Sequence, residues 1–255
     1  MTGLGVYGIA RDLAAAGIGE LKKFEPAKVK AKFKSNINTK IANENCLELN
    51  FIEIKNIKNI SSPKWLKDRL EAIGIATKSA AIDITNYIAF LFGQPMHVYD
   101  RVQIKGDLVS VAHADKEAKF KALNGNDYIL DKQDMVIKDE EKILALAGII
   151  GGEEGSCAME STSILLEAAN FNADKIMEMG RRLQIDSDSR YRFERKIDPL
   201  FVKSALEYAA YLILDICGGS ASEIISVAND TSYQPRKTTI NSVSYTHLTL
   251  PTIRL

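Results

Sequence analysis

The chain has 255 residues, 46% of them hydrophobic and 26% charged, which excludes a disordered chain and allows a sizeable core. Thirty-three basic residues balance thirty-three acidic ones, so no global field draws the chain to nucleic acid, and any RNA contact must come from local patches. No apolar run reaches the ~18 residues of a membrane span and no signal-like segment opens the sequence, so the expectation is a cytoplasmic chain without membrane association.

Val6, Ile9 and Leu13 recur at helical spacing and predict a first helix that stops at Gly17 and Gly19. Because the chain opens almost directly into it, residue 1 reads as a cut through a longer protein. Lys22 to Lys40 follows, with seven lysines and one acid, Glu25. It fits either a solvated connection or a patch facing RNA phosphates. Leu47 to Ile60, rich in β-branched residues, predicts a strand. Ser62 and Pro63 then start a helix, serine as cap and proline at the first position, with Trp65, Leu66, Leu70 and Ile73 as its buried stripe.

A second, more apolar helix runs from Ile82 to Leu91 and stops at Gly93. Leu108 to Ala112 reads as strand. Asn124-Gly125 predicts a hairpin between Ala118–Leu123 and Tyr128–Leu130, and Asp139-Glu140-Glu141 a second one between Met135–Lys138 and Lys142–Ala147. Helices return at Asp174–Leu183 and at Pro199–Cys217, the latter with Asp198 as cap and Gly218-Gly219 past its end. Strands bunched between helices predict an α+β domain without βαβ repeats. Val243 to Leu255 breaks this register and resembles translated sequencing-adapter read-through, so it is expected to be a non-native tail.

Five features carry chemistry. Asp83, Thr85 and Asn86 are polar groups on an apolar helix, needing local back-bonding or a ligand as partner. Gln94 and Pro95 precede a lone histidine, His97, which fits a packed residue or a catalyst. Gly148, Gly151 and Gly152 allow close backbone approach, or simply a turn at a strand end; no helix pattern follows, so they are not a dinucleotide fingerprint. Glu167 lies in an apolar run and needs a salt bridge to nearby arginines or a ligand. Arg181, Arg182, Arg190, Arg192 and Arg195, interleaved with Tyr191 and Phe193, suit phosphate clamping or, for most of them, a web with Asp186, Asp188, Glu194 and Asp198. His97, His113 and His247 are too few for a multi-histidine zinc site, and Cys46, Cys157 and Cys217 are spaced for neither a metal knuckle nor a disulfide framework. No metal site is expected.

Taken in order, Ser62-Pro-Lys-Trp-Leu, Asp83-Ile-Thr-Asn-Tyr, Gly93-Gln-Pro-Met-His, Ala147-Gly-Ile-Ile-Gly-Gly, Leu166-Glu-Ala-Ala and Arg192-Phe-Glu-Arg resemble the central editing region of bacterial phenylalanine-tRNA ligase beta subunits. The resemblance covers Gly5 to Asn229. It implies a single large α+β editing domain with mixed or antiparallel sheets and packed helices. Residues 1–60 would form an N-terminal helix and strand part, 61–229 the editing core, and 230–242 a linker to a following domain.

The resemblance further implies hydrolysis of tyrosine wrongly esterified to tRNA(Phe). Glu167 would accept the tyrosine hydroxyl, Gly148 would leave room beside it, and Ser187 and Ser189 would stand beside the pocket. Thr85, Asn86 and His97 would line the end holding the ester, the terminal adenosine and the attacking water. With no Ser–His–Asp order, a positioned water is expected in place of a covalent nucleophile. ATP and magnesium would serve only the whole ligase, through an alpha subunit in a two-alpha, two-beta assembly. A scaffold that has lost editing and a free-standing RNA-binding protein are the alternatives. Ser187, Ser189 and Lys196 depart from the pattern. Lys196 replaces a glycine, so a different local turn is expected there.

Overall fold

The computed structural model describes residues 3–22, 24, 25 and 28–229. In chain order its elements begin with α1 (Val6–Ala15), β1 (Asn38–Ile41), β2 (Cys46–Lys55), α2 (Lys64–Glu71), α3 (Ala80–Phe92), β3 (Met96–Asp100) and β4 (Leu108–His113). β5 (Lys119–Lys121), β6 (Asp127–Ile129), β7 (Met135–Lys138), β8 (Ile143–Leu146), β9 (Ile150–Gly151) and β10 (Ser163–Phe171) follow. The described chain closes with α4 (Ala173–Arg182), α5 (Asp188–Phe193), α6 (Val202–Cys217), β11 (Ser220–Ala221) and β12 (Ile225–Ala228). The linker expected over 230–242 and the tail over 243–255, with His247, lie outside the described residues.

One sheet runs β11-β2-β10-β3 with β12 also on β2, every pairing antiparallel. A second runs β1-β4-β7-β8-β9, with β1 and β4 parallel and the remaining pairs antiparallel. β5 and β6 form a separate hairpin. The architecture is α+β with mixed and antiparallel sheets. β10 is buried from Ile164 to Phe171 because the sheet is covered on both faces. Val98, Leu166 and Ala168 alternate with the inward residues described below and point to the side where α3 and α6 pack. Val98 and Leu166 each contribute ~1.5–3 kcal/mol on burial. β2 pairs with β10, so residues before position 60 share a sheet with residues after it. All three cysteines are free and buried.

Both hairpins form where the turn signals stand, and the helix stops fall at Gly17, Gly93 and Gly218, each with positive φ. Other expectations are corrected. The strand expected to reach Ile60 ends at Lys55, because Asn56 turns to φ 59. Ser62 does not cap α2: Pro63 holds that position, and the Ser62 hydroxyl donates to Asp83 Oδ2 at 2.5 Å. A carboxylate with no exposure requires donors, and Asp83 takes a second from the Lys78 N–H.

The α2 stripe narrows to Leu66 and Leu70. Trp65 turns outward and sets its edge against Tyr87, while Ile73 is half exposed. α6 starts at Val202, since Asp198 spends its side chain on the Leu200 N–H in a preceding turn. α1 forms as its spacing predicts but buries none of its residues, and Val6 remains 62% exposed. From Lys28 to Lys34 the lysines are exposed along an irregular connection.

Candidate active site between the two sheets

A cavity of about 260 Å³ lies where β3 and β10 of one sheet face β7, β8 and β9 of the other. Ile137, Ala145, Leu146 and Phe193 give it apolar walls, and Glu167, His97 and Asn86 line it as polar groups. A larger cavity of about 460 Å³ beside the β5–β6 hairpin contains none of the expected site residues and is lined by charges such as Lys119, Lys121 and Glu154.

The strand register builds the polar side of the site. Glu167 stands opposite His97, and Leu165 opposite Tyr99. His97 and Tyr99, two residues apart, therefore share a face, with Tyr99 diagonal to Glu167. The Tyr99 hydroxyl donates to Glu167 Oε2 at 2.6 Å. Burial pushes the Glu167 carboxyl up to about 7, while the bond from Tyr99 draws it down. Burial, with the Glu167 charge second, holds the Tyr99 phenol well above its ordinary range.

Among the described residues Glu167 thus has no arginine partner, and its hydrogen-bond partner is a tyrosine. The expected web forms in part: Arg190 pairs with Glu194 at 3.1 Å, Arg192 with Asp188 at 2.9 Å and Arg195 with Glu194, whereas Arg182 reaches Asp134 outside it, and among the described residues no ion pair joins Arg181, Asp186 or Asp198.

The His97 ring meets Tyr99 edge-on, with centroids 4.5 Å apart, and its buried Nε2 has no hydrogen-bond partner among the described residues. Burial lowers its pKa to about 4, so at neutral pH the ring is uncharged, with one donor and one lone pair. Gly151 makes this placement possible, since a Cβ there would lie 2.3 Å from His97 Cε1.

The opposite wall is a turn pinned to α5. Ile149 N–H closes on Leu146 O, and Gly148 takes φ 70 at the position where such a turn needs it. The Ser189 hydroxyl donates to Gly148 O at 3.1 Å, and the Ser187 hydroxyl to Ile149 O at 2.7 Å. Ser187 also caps α5 by accepting the Arg190 N–H. Both serines therefore line the cavity with their hydroxyls already engaged in holding its wall.

Asn86 faces the cavity from α3. Its neighbour Thr85 does not, because successive helical residues point ~100° apart, and the Thr85 hydroxyl donates to Ile82 O at 2.6 Å. The structure brings together Asn86, His97, Gly148, Glu167, Ser187 and Ser189, and leaves Thr85 behind the wall. Tyr99 has no role in the sequence reading, where its spacing two residues from His97 is the available signal, and Gly151, read there as room for backbone approach or a turn, makes room for the His97 ring. Lys196 overturns the expectation of a different turn: the backbone takes φ 65 with the lysine in place, its N–H bonded to Phe193 O at the end of α5.

Among the described residues no group of three or more His, Cys, Asp or Glu side chains is arranged to hold a metal ion, and no helix is long and apolar enough to cross a membrane.

The chain is 44% identical to the "Phenylalanine--tRNA ligase beta subunit" of Rickettsia felis, over 95% of this chain and 32% of that protein. It is 47% identical to the protein of the same name from Rickettsia bellii, over 87% of this chain and 29% of that one. Against that of Paramagnetospirillum magneticum the identity is 43%, over 91% and 29%. The chain spans about a third of the length of these curated relatives. An N-terminal fragment of the phenylalanyl-tRNA synthetase beta-subunit from Pyrococcus horikoshii aligns over 86% of this chain and 58% of that one, with a TM-score of 0.47 and 15% identity. The family model described as "B3/4 domain" matches residues 45–218, which include every residue of the cavity, and the chain belongs to that family.

Proposed function

We propose that this chain is a segment of a phenylalanine-tRNA ligase beta subunit whose cavity hydrolyses tyrosine mistakenly esterified to tRNA(Phe). The observation that carries the reading is Glu167: a buried carboxylate, held by a phenol, in a cavity with apolar walls. A synthetic pocket shaped for phenylalanine rejects the isostere with an added hydroxyl only ~10²-fold. A second pocket with a buried acceptor reverses that preference, because phenylalanine leaves the acceptor unpaired, and sites of this kind discriminate by ~10⁴–10⁵.

In this reading the apolar walls take the aromatic ring and Glu167 accepts its hydroxyl. Neutral His97 and Asn86 orient a water toward the ester carbonyl. The water oxygen bonds to the carbonyl carbon, the bond to the ribose oxygen breaks, and a water proton ends on that ribose oxygen, releasing tyrosine and free tRNA. The free ribose hydroxyl of the tRNA assists. Ser187, Ser189 and Gly148 keep the wall in place, and Thr85 shapes α3 beside Asn86. Positioning alone supplies several kcal/mol for an already activated ester. The editing core is residues 61–229 completed by β2. The whole cytoplasmic enzyme would add an alpha subunit, ATP and magnesium for charging.

The test is release of tyrosine and phenylalanine from preformed Tyr-tRNA(Phe) and Phe-tRNA(Phe) by the assembled ligase. Tyrosine should leave much faster, and His97→Ala should slow that release. Equal rates for the two esters would end the editing reading and leave a non-catalytic module.

A further inference from the structure

Resting on the editing reading, we propose that Tyr99 is a specificity-positioning residue: its hydroxyl occupies one oxygen of Glu167 and keeps the carboxylate an acceptor, so that the site selects substrates carrying a hydroxyl donor.

The phenol has a single proton, and it goes to Glu167 Oε2 at 2.6 Å. Tyr99 has no exposed surface, lies opposite Leu165 in the strand register and meets the His97 ring edge-on. A side chain packed in this way, on the edge strand β3 directly beside β10, holds its donor, and therefore the carboxylate, in one orientation. Which proton state Glu167 adopts decides what it reads. An ionised carboxylate only accepts, whereas a protonated one also donates and would no longer demand a donor from the ligand.

Among the described residues no cationic group stands near Glu167 to favour its ionisation. The cavity lining includes neither lysine nor arginine. His97, directly across β3, is neutral at neutral pH, being lowered to about 4. Cys46 on β2 is pushed by burial well above the ordinary thiol range and stays protonated. Phe51 is the cross-strand partner of Glu167 on β2 and carries no charge. Asp188, at the start of α5, also lines the cavity and would oppose a second negative charge. Burial pushes the Glu167 carboxyl up, and the Tyr99 hydroxyl is the group that draws it back.

The experiment measures the ratio of tyrosyl to phenylalanyl ester hydrolysis by the assembled ligase from about pH 6 to 8.5, a window that brackets the Glu167 titration. Wild type, Tyr99→Phe and Glu167→Gln are compared, with spontaneous hydrolysis subtracted. In wild type the ratio rises with pH. In Tyr99→Phe its midpoint moves upward by about one pH unit or more, the size of one hydrogen bond to a carboxylate. The preference at neutral pH drops ~10-fold and is regained at high pH, with the loss carried by KM more than kcat.

A folding defect would lower both rates at every pH without moving the midpoint. Replacing Tyr99 by 3,5-difluorotyrosine keeps the packing and strengthens the donor, so the midpoint moves down; this arm stands even where Tyr99→Phe fails to fold. An unmoved midpoint in both variants overturns the role of Tyr99. Equal hydrolysis of the two esters by wild type at every pH overturns the editing reading itself. A pH dependence of the ratio that persists in Glu167→Gln, whose amide accepts a hydrogen bond but does not titrate, assigns the titration to another group and overturns the role of the carboxylate.

Discussion

Gly151 and His97 share one small volume: a Cβ on Gly151 would lie 2.3 Å from Cε1 and 2.7 Å from Nε2 of the imidazole. The glycine ends β9 of one sheet and the histidine sits on β3 of the other, so the missing side chain of one strand is filled by the ring of the other. Gly151 has no positive φ, and its requirement is steric.

Gly151→Ala should therefore displace the imidazole while leaving the backbone unstrained. Overpacking of this kind costs ~1–3 kcal/mol, and misplacement by about 1 Å lowers catalysis up to ~10²-fold. Denaturant titration and tyrosyl ester hydrolysis measure the two effects. A variant with wild-type hydrolysis would remove His97 from the water-orienting role.

Gly148→Ala should be the more damaging of the two. Its Cβ would meet Ile176 Cδ1 at 2.7 Å and Phe171 Cδ2 at 2.9 Å, and its φ of 70 is unfavourable for any side chain. The left-handed backbone adds ~1–2 kcal/mol to the ~1–3 kcal/mol of overpacking, so a loss of about 2–5 kcal/mol is expected. Thermal unfolding of the two variants side by side should place Gly148→Ala lower.

Glu167 makes stability fall with rising pH. Its folded value, about 7, lies above the ordinary 4.5, so the folded state holds the proton more tightly than the unfolded chain does. That advantage is complete below about pH 4.5, declines as pH rises through about 7 and is gone above, on the order of 3 kcal/mol in all. His97 works oppositely: lowered to about 4 from 6.5, it contributes stability above about pH 6.5 that is lost as pH falls through about 4. The urea midpoint of wild type minus that of Glu167→Gln, followed from about pH 5 to 8, should decline with pH. Parallel curves would contradict the shift.

Lys196→Gly should stabilise the protein. The lysine is exposed and holds φ 65 just after α5. Removing the left-handed cost of ~1–2 kcal/mol outweighs the added freedom of an unfolded glycine, ~0.5–1 kcal/mol. A net gain of about 0.5–1 kcal/mol should appear as a higher Tm, and an unchanged or lower Tm would show that neighbouring contacts already compensate.

Local chemistry was readable wherever one residue sets one backbone state. Asn124-Gly125 marked its hairpin, Gly93 and Gly218 marked helix ends, and α1, α3, α4 and α6 followed their apolar spacing. The strand at Ser163–Phe171 was not read as one, because a short run apolar on both faces has no period to distinguish it from a buried helix. Burial was legible less often than helicity. Val6, Ile9 and Leu13 have the spacing of a buried stripe and remain exposed, since spacing specifies a face without supplying a partner for it.

The sequence alone determined the residue types from which the site is built: a carboxylate among apolar neighbours, a histidine behind a proline, a glycine turn and two serines. Only the tertiary structure decided that a tyrosine answers Glu167, that Asn86 faces the cavity while Thr85 bonds to its own helix, and that Ser62 serves Asp83. The reason is physical. A side chain's partner depends on strand register and helix rotation, which are set by long-range packing between segments far apart in the chain.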